Sequence, residues 1–183
     1  MNNLIISPAC SEDLDKIVAL LEEARAWLHV RGIQQWVLPY PSQWIAEEIK
    51  RGEVYLARVA NEPVGSITIQ WFDEDIWPGA SEDAAYIHRL IVAGRFRGQG
   101  LGLQLLRHAE QVARAAGKRC LRLDCWAGNQ ALCEYYEQAG FEKRDVVDIR
   151  EGNRCYQVQR FERRIIASYS TPPLTTGKTD GVP

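Results

Sequence analysis

The sequence shows no excess of charge of either sign. Its 22 Lys and Arg against 24 Asp and Glu leave a net charge of −2 and a pI of about 6.0. That removes the basic footprint of a nucleic-acid binder, and Arg163-Arg164 reads as a solvated strand end. No apolar run approaches the length of a membrane span. The amino terminus lacks a basic stretch followed by an apolar core, so no secretory signal is expected and a cytoplasmic location is. The five cysteines (Cys10, Cys120, Cys125, Cys133, Cys155) are odd in number and none has Cys-x-x-Cys spacing, which excludes zinc-ribbon and thioredoxin-like sites. They lie in apolar segments, so reduced, buried thiols are expected. The three histidines (His29, His88, His108) are far apart, with no Cys or Asp at ligand spacing, and no metal site is expected. The complete P-loop pattern, Gly-x4-Gly-Lys-Ser/Thr, is absent, and there is no internal repeat. What is present is ordinary for a globular chain with a real core: 183 residues, 46% hydrophobic and 25% charged. A single domain is expected over 1–166. A Ser/Thr/Pro/Gly-rich tail over 167–183 is expected to be disordered.

Taken in order, Leu4-Ile5-Ile6 is a short strand. Ser11 can cap a helix striped by Leu14, Ile17, Val18, Leu21, Ala24 and Leu28, ending at Gly32. Pro39-Tyr40-Pro41 is extended, and Ser42 can cap a second helix over 43–50. Strands are expected at Glu53–Ala60 and Val64–Phe72, joined by a hairpin at Asn61-Glu62-Pro63. An acidic loop, Asp73–Asp83, then leads to a fourth strand, Ala84–Val92. A helix follows from Leu101 to Ala116, striped by Leu101, Leu105, Ala109, Val112 and Ala116. A strand at 119–126, a helix at about 129–139 with Gly140 as terminator, and a closing hairpin (Glu142–Arg150, Arg154–Ile165) complete the chain. The order β-α-α-β-β-β-α-β-α-β-β is a mixed α/β sheet with helices on both faces.

The organising stretch is Arg97-Gly98-Gln99-Gly100-Leu101-Gly102, a glycine-rich turn joining a strand to a helix. Such a turn presents free N–H groups at the positive end of a helix, which is an anion site. Gly98, Gly100 and Gly102 remove side chains that would hold a phosphate off the backbone, and Arg97 adds a fixed cation. The Rossmann fingerprint would need glycine at position 103, which is Leu103. A second block follows: Asn129-Gln130-Ala131-Leu132-Cys133-Glu134-Tyr135-Tyr136-Glu137-Gln138-Ala139-Gly140-Phe141. In order and separation, these two blocks resemble the pyrophosphate loop and the Asn…Tyr…Gly-Phe block of the GCN5-related N-acetyltransferases, the GNAT family. The resemblance is strong over 84–141 and extends in layout over about 4–164. It implies the GNAT-like acyl-CoA N-acyltransferase fold, whose mixed central sheet splays open between strands four and five.

The cosubstrate implied by the resemblance is acetyl-CoA, its pyrophosphate on the N–H groups of Gly98 to Gly102 beside Arg97. Its pantetheine arm would pair with backbone groups of Leu90, Ile91 and Val92 as a short added strand, and Asn129 would reach the same arm. The amide of Leu90 would also contact the acetyl carbonyl, stabilising the oxyanion of a tetrahedral intermediate as a neutral amine attacks directly. Tyr136 matches the family's thiol-facing tyrosine. Tyr135 is the alternative, but the count back from Gly140-Phe141 favours Tyr136. For the base, His88 lies two residues before Leu90, on the same face unless a bulge intervenes, and imidazole titrates in the useful range. Tyr86 shares that alternation and could line the site. Asp124, Glu82 and Asp83 are the fallback bases. The acceptor region of the family here holds Trp27, Trp36, Trp44, Trp71 and Trp77 with Asp73, Glu74 and Asp75, a set that suits a small cationic or amino-acid-like amine. The leading expectation is an acetyl-CoA-dependent N-acetyltransferase. The competing one is an acyl-CoA-binding sensor without turnover. Exposed strand edges are compatible with a homodimer.

Overall fold

The computed structural model describes residues 4–80, 82–152 and 154–166, so the expected tail over 167–183 lies outside the described residues. The elements run β1 (Leu4–Pro8), α1 (Leu14–Val30), α2 (Ser42–Lys50), β2 (Val54–Val59), β3 (Glu62–Gln70), β4 (Ala84–Val92), α3 (Leu101–Ala115), β5 (Cys120–Trp126), α4 (Gln130–Gln138), β6 (Glu142–Glu151) and β7 (Arg154–Arg164). They form a seven-stranded sheet in the order β1-β2-β3-β4-β5-β7-β6. Among the described residues, only the β4–β5 pair is parallel. This is the mixed α/β sheet expected from the element order, in the GNAT-like arrangement that the resemblance implies.

Periodicity decides which side chains are buried, and the fold uses it on both sheet faces. Leu101, Leu105, Ala109 and Ala113 of α3 pack with Cys133 and Tyr136 of α4 against Ile67, Ile69, Ile87 and Leu121. Ile17, Leu21 and Ala24 of α1 and Ile45 and Ile49 of α2 cover Val54, Leu56 and Ile91 on the opposite face. The α3 stripe ends on buried Ala113, whereas the expected Ala116 is exposed beyond the last turn. The expected serine caps do not form. Ser11 opens a single 3-10 turn, and the carboxylate of buried Asp13 ties it down by accepting from the Cys10 N–H (3.2 Å) and from Arg58 (2.6 Å). Ser42 is the first residue of α2, behind an extended Pro41. The β2–β3 turn is Ala60-Asn61, with φ of 50° and 66°, so Glu62 and Pro63 belong to β3. Two residues of this hand match the twist of a tight hairpin. Cys120, Cys125 and Cys133 are buried free thiols, but Cys10 and Cys155 are exposed.

The sheet opens at its centre. β4 and β5 pair from Ala84↔Cys120 to Ile87↔Leu123 and no further. Beyond that point β4 stays with β3 up to Gly65↔Val92, and β5 stays with β7 up to Trp126↔Val158. A bulge sits where they part. The β3–β4 register shifts between Ser66 and Thr68, and Arg89 has a φ of 47°. An extra residue on one strand bends it and strengthens its twist. The bulge also flips the alternation. Ile87 and Leu90 both pack on the α3 side, while Ile91 packs on the α1–α2 side. His88 and Leu90 therefore do not share a face, because the intervening bulge is present. Among the described residues, no helix is long and apolar enough to cross a membrane.

Candidate active site

The turn ahead of α3 is built as its glycines require. Gly98 and Gly100 have φ of 75° and 76°, a region that costs an L-residue roughly 1–2 kcal/mol. The hydrogen-bond ladder of α3 starts with the Gln104 N–H on the Gly100 carbonyl (3.2 Å), so the N–H groups ahead of it stand outside the ladder. Gly102 is glycine for another reason. A Cβ there would lie 2.5 Å from the Tyr135 hydroxyl, so it serves the packing of α4 against α3 rather than access for a phosphate. Arg97 lays its guanidinium over Trp27, 4.2 Å from the ring centroid, and donates from Nε to the Val92 carbonyl (3.4 Å). Burial lowers its pKa, but a guanidinium remains a cation at any working pH.

Where β4 and β5 diverge lies a cavity of about 990 Å³. Its lining brings together His88, Leu90, Ile91, Val92, Arg97, Gly98, Gly100, Leu101, Gly102, Asn129 and Tyr136, which are separated by as many as 48 positions in the chain. Gln99 is not among them; its side chain donates to the Arg95 carbonyl at the surface (3.0 Å). Asn129 lines the cavity while its Oδ1 caps α4 on the Leu132 N–H (3.2 Å). Trp27, Trp36 and Trp44 line the cavity, whereas Trp71 and Trp77 do not. Trp77 is buried against Tyr86 and Arg160, and Trp71 lies beside Lys118. Tyr86 accepts from Arg122 (3.0 Å), Asp83 from Arg119 (3.0 Å), and neither reaches the cavity.

Tyr135 and Tyr136 both line the cavity, but they project differently. Tyr136 is buried, with ring contacts to Phe141 (6.0 Å) and Phe161 (5.6 Å), and burial raises its hydroxyl pKa well above 10. Tyr135 points at the head of α3. The sequence reading did not single out Arg89, Glu48 or Trp126. Arg89, turned by the bulge, donates to Glu48, to the Tyr40 hydroxyl (2.6 Å) and to Thr68 (3.2 Å), fixing α2 and the 33–41 segment to β4. The bulge that exposes this pairing has no signature in strand alternation.

One cluster is visible only in three dimensions. Asp73, His88 and Asp124 place one polar atom each within 4.8 Å of one another. His88 Nε2 stands 3.5 Å from Asp73 Oδ2, and neither buried atom has a hydrogen-bond partner. Burial raises the Asp124 carboxyl from 3.8 to about 7, with the Asp73 charge adding to it. Burial likewise raises Asp73 to about 6 and lowers His88 to about 3, the latter assisted by the Arg89 charge.

Comparison with known proteins agrees with this geometry. The model of the Acetyltransferase (GNAT) family matches residues 18–141. The uncharacterised N-acetyltransferase YesJ of Bacillus subtilis strain 168 is 34% identical over 144 residues, covering 74% of this chain and 79% of YesJ. The uncharacterised N-acetyltransferase MJ1207 of Methanocaldococcus jannaschii is 29% identical over 109 residues, 57% of this chain and 45% of that protein. A GNAT-family acetyltransferase from Listeria monocytogenes superposes with a TM-score of 0.70 at 26% identity, over 88% of this chain and 94% of the other. YncA from Salmonella typhimurium, solved with acetyl-CoA, has the same fold at a TM-score of 0.70 and 15% identity, over 93% and 99% of the two chains. With the opened sheet, the glycine turn at the head of α3 and a family match spanning more than half of its length, this chain belongs to the GNAT acetyltransferase family.

Proposed function

We propose that this protein transfers the acetyl group of acetyl-CoA to the primary amine of a small cationic or amino-acid-like molecule. The observation that carries the reading is the coincidence, in one cavity, of an unpaired β4 edge and a positive helix end. His88 to Val92 have no β5 partner on the side where β5 departs, and the N–H groups at the head of α3 open beside them. A molecule with a diphosphate at one end and amides along its arm fits that donor and acceptor set. The N–H groups from Gly98 to Gly102, with Arg97, would hold the diphosphate. The β4 edge would take the arm as an added strand, with Asn129 beside it.

Acetyl-CoA supplies the thioester carbonyl as electrophile. The Leu90 amide is the donor for its oxygen, an interaction worth about 2.7–4 kcal/mol where such a donor has been removed from a hydrolase. Tyr136, kept protonated by burial, is the proton donor for the departing thiolate. The amine reaches the cavity as an ammonium and must lose a proton before it attacks. The α1–α2 side of the split, carrying His88 and Asp124, is where that proton goes. Trp36, Tyr40, Trp44 and Trp126 line the same cavity and suit a cationic acceptor.

The test is thiol release from acetyl-CoA across polyamines, amino acids, aminoglycosides and short peptides, run beside calorimetric binding of coenzyme A. Turnover on one amine class, with kcat lowered at least tenfold in Tyr136→Phe, is the expected result. Tight coenzyme A binding with no turnover on any amine would instead favour an acyl-CoA sensor. Failure to bind coenzyme A would overturn the reading altogether.

A further inference from the structure

Resting on that reading, we propose that Asp124 is the base that takes the proton of the acceptor's ammonium, with Asp73 and His88 as positioning residues behind it. Asp124 lines the cavity from the β5 side of the split. Among the described residues nothing donates a hydrogen bond to its carboxylate. A carboxylate facing a cavity without a donor is a seat for a cationic N–H group. His88 lines the same cavity, but its Nε2 is buried, 3.5 Å from Asp73 Oδ2. The Asp73 side chain is only 8% exposed, and its Oδ1 accepts the Ile76 N–H (3.2 Å) while Oδ2 has no partner.

The charges around the trio set its chemistry. Asp73 faces Asp124 as a second carboxylate and raises its proton affinity, and Asp75 does the same to Asp73. Arg89 and Glu53 act on His88 in opposite senses, with burial and Arg89 prevailing, so the imidazole stays neutral. A protonated imidazole here would pair with the carboxylates and make both poor bases. Cys125 and Tyr136, both with raised pKa values, lie across the sheet from Asp124 and add no charge. Neutral His88 thus keeps the two carboxylates coupled without cancelling them.

The step balances. The ammonium gives one proton to Asp124, the neutral nitrogen adds to the thioester carbonyl to form the C–N bond, and the C–S bond breaks as the oxyanion collapses. The thiolate takes the proton of the Tyr136 hydroxyl, and a second nitrogen proton restores the tyrosine. Asp124 returns its own proton to solvent between turnovers.

The experiment measures kcat, KM and coenzyme A affinity against pH for the wild type, Asp124→Asn, Asp73→Asn and His88→Gln. In the wild type, kcat/KM falls below an acid limb near pH 7. Asp124→Asn abolishes that limb and lowers kcat by about 10²–10⁴-fold with coenzyme A affinity unchanged. Asp73→Asn moves the limb to lower pH, a displacement that a merely structural role would not produce. His88→Gln, which keeps a neutral hydrogen-bonding side chain, stays within about tenfold of wild type. An Asp124→Asn enzyme that keeps the wild-type limb, or a His88→Gln enzyme that loses it, overturns the proposal. Carboxyl 13C titration of aspartate-labelled protein provides a readout independent of turnover. Asp124 and Asp73 titrating together near neutrality support the proposal even if no amine is turned over. Asp124 titrating alone near 4, or a stoichiometric divalent cation in the purified protein, overturns it. Loss of coenzyme A binding or turnover in the wild type would count against the functional reading itself, separately from the identity of the base.

Discussion

Gly102→Ala should change sign with the residue at position 135. Gly102 lies in the first turn of α3 with an ordinary backbone, and only space keeps it glycine. A Cβ there would stand 2.5 Å from the Tyr135 hydroxyl oxygen but 3.5 Å from the ring carbon that bears it, and 3.9 Å from Val92. The first distance is a clash, whereas the other two are ordinary contacts. Forcing the tyrosine aside costs about 1–3 kcal/mol, as other overpacked sites do. Replacing a helical glycine by alanine returns up to about 1 kcal/mol. In the wild-type background Gly102→Ala should therefore lose up to about 2 kcal/mol. In Tyr135→Phe, where the offending oxygen is gone, the same change should gain up to about 1 kcal/mol, a rise of roughly 2–4 °C in Tm. Thermal and urea melts of the four proteins measure the coupling. Because Tyr135 lines the cavity, its displacement should also weaken coenzyme A binding, and Tyr135→Phe should restore it. Equal effects of Gly102→Ala in both backgrounds, within about 0.5 kcal/mol, would refute the reasoning.

Three further outcomes follow from other sites. Arg89→Leu leaves the buried Glu48 carboxyl without its cation and should lower stability by about 3–5 kcal/mol in urea melts. For Asp13, burial opposes ionisation but Arg58 and Lys16 prevail and hold its carboxyl well below 3.8. Its stabilisation is present above that value and is lost as pH falls through the folded pKa, so Asp13→Asn should flatten the acid side of a Tm–pH profile. Asp124 is the opposite case. A carboxyl raised from 3.8 to about 7 stabilises the fold fully below 3.8 and loses that contribution as pH rises toward 7. Asp124→Asn should accordingly raise the unfolding free energy at pH 8 relative to wild type, by about 4 kcal/mol at most, and should give little gain at pH 4.

Most of the elements were legible because burial imposes a period on the chain. The 101–115 helix and the 84–92 strand show theirs in the spacing of Leu101, Leu105 and Ala109 and in an apolar run. The caps were not legible. Ser11 and Ser42 have the right chemistry, but Asp13 gains Arg58 from β2, a partner 45 positions away that local reading cannot supply. The resemblance places Trp71 and Trp77 in the acceptor region, but neither lines the cavity: Trp71 lies beside Lys118 and Trp77 against Tyr86.

By itself the sequence determined the glycine turn, the order of elements and the two blocks of motif, because each is written in local residue type and spacing. The count back from Gly140-Phe141 favours Tyr136 over Tyr135 as the match to the family's tyrosine, and in the fold Tyr136 is buried while both tyrosines line the cavity. Only the tertiary structure decided that a bulge at Arg89 separates the faces of His88 and Leu90. A one-residue slip in register depends on how β3 and β4 pair, and no single strand encodes it. Only the tertiary structure, too, brought Asp73, His88 and Asp124 together. They come from a loop and two strands, and their altered proton affinities arise from burial and mutual charge, which exist once the chain is folded.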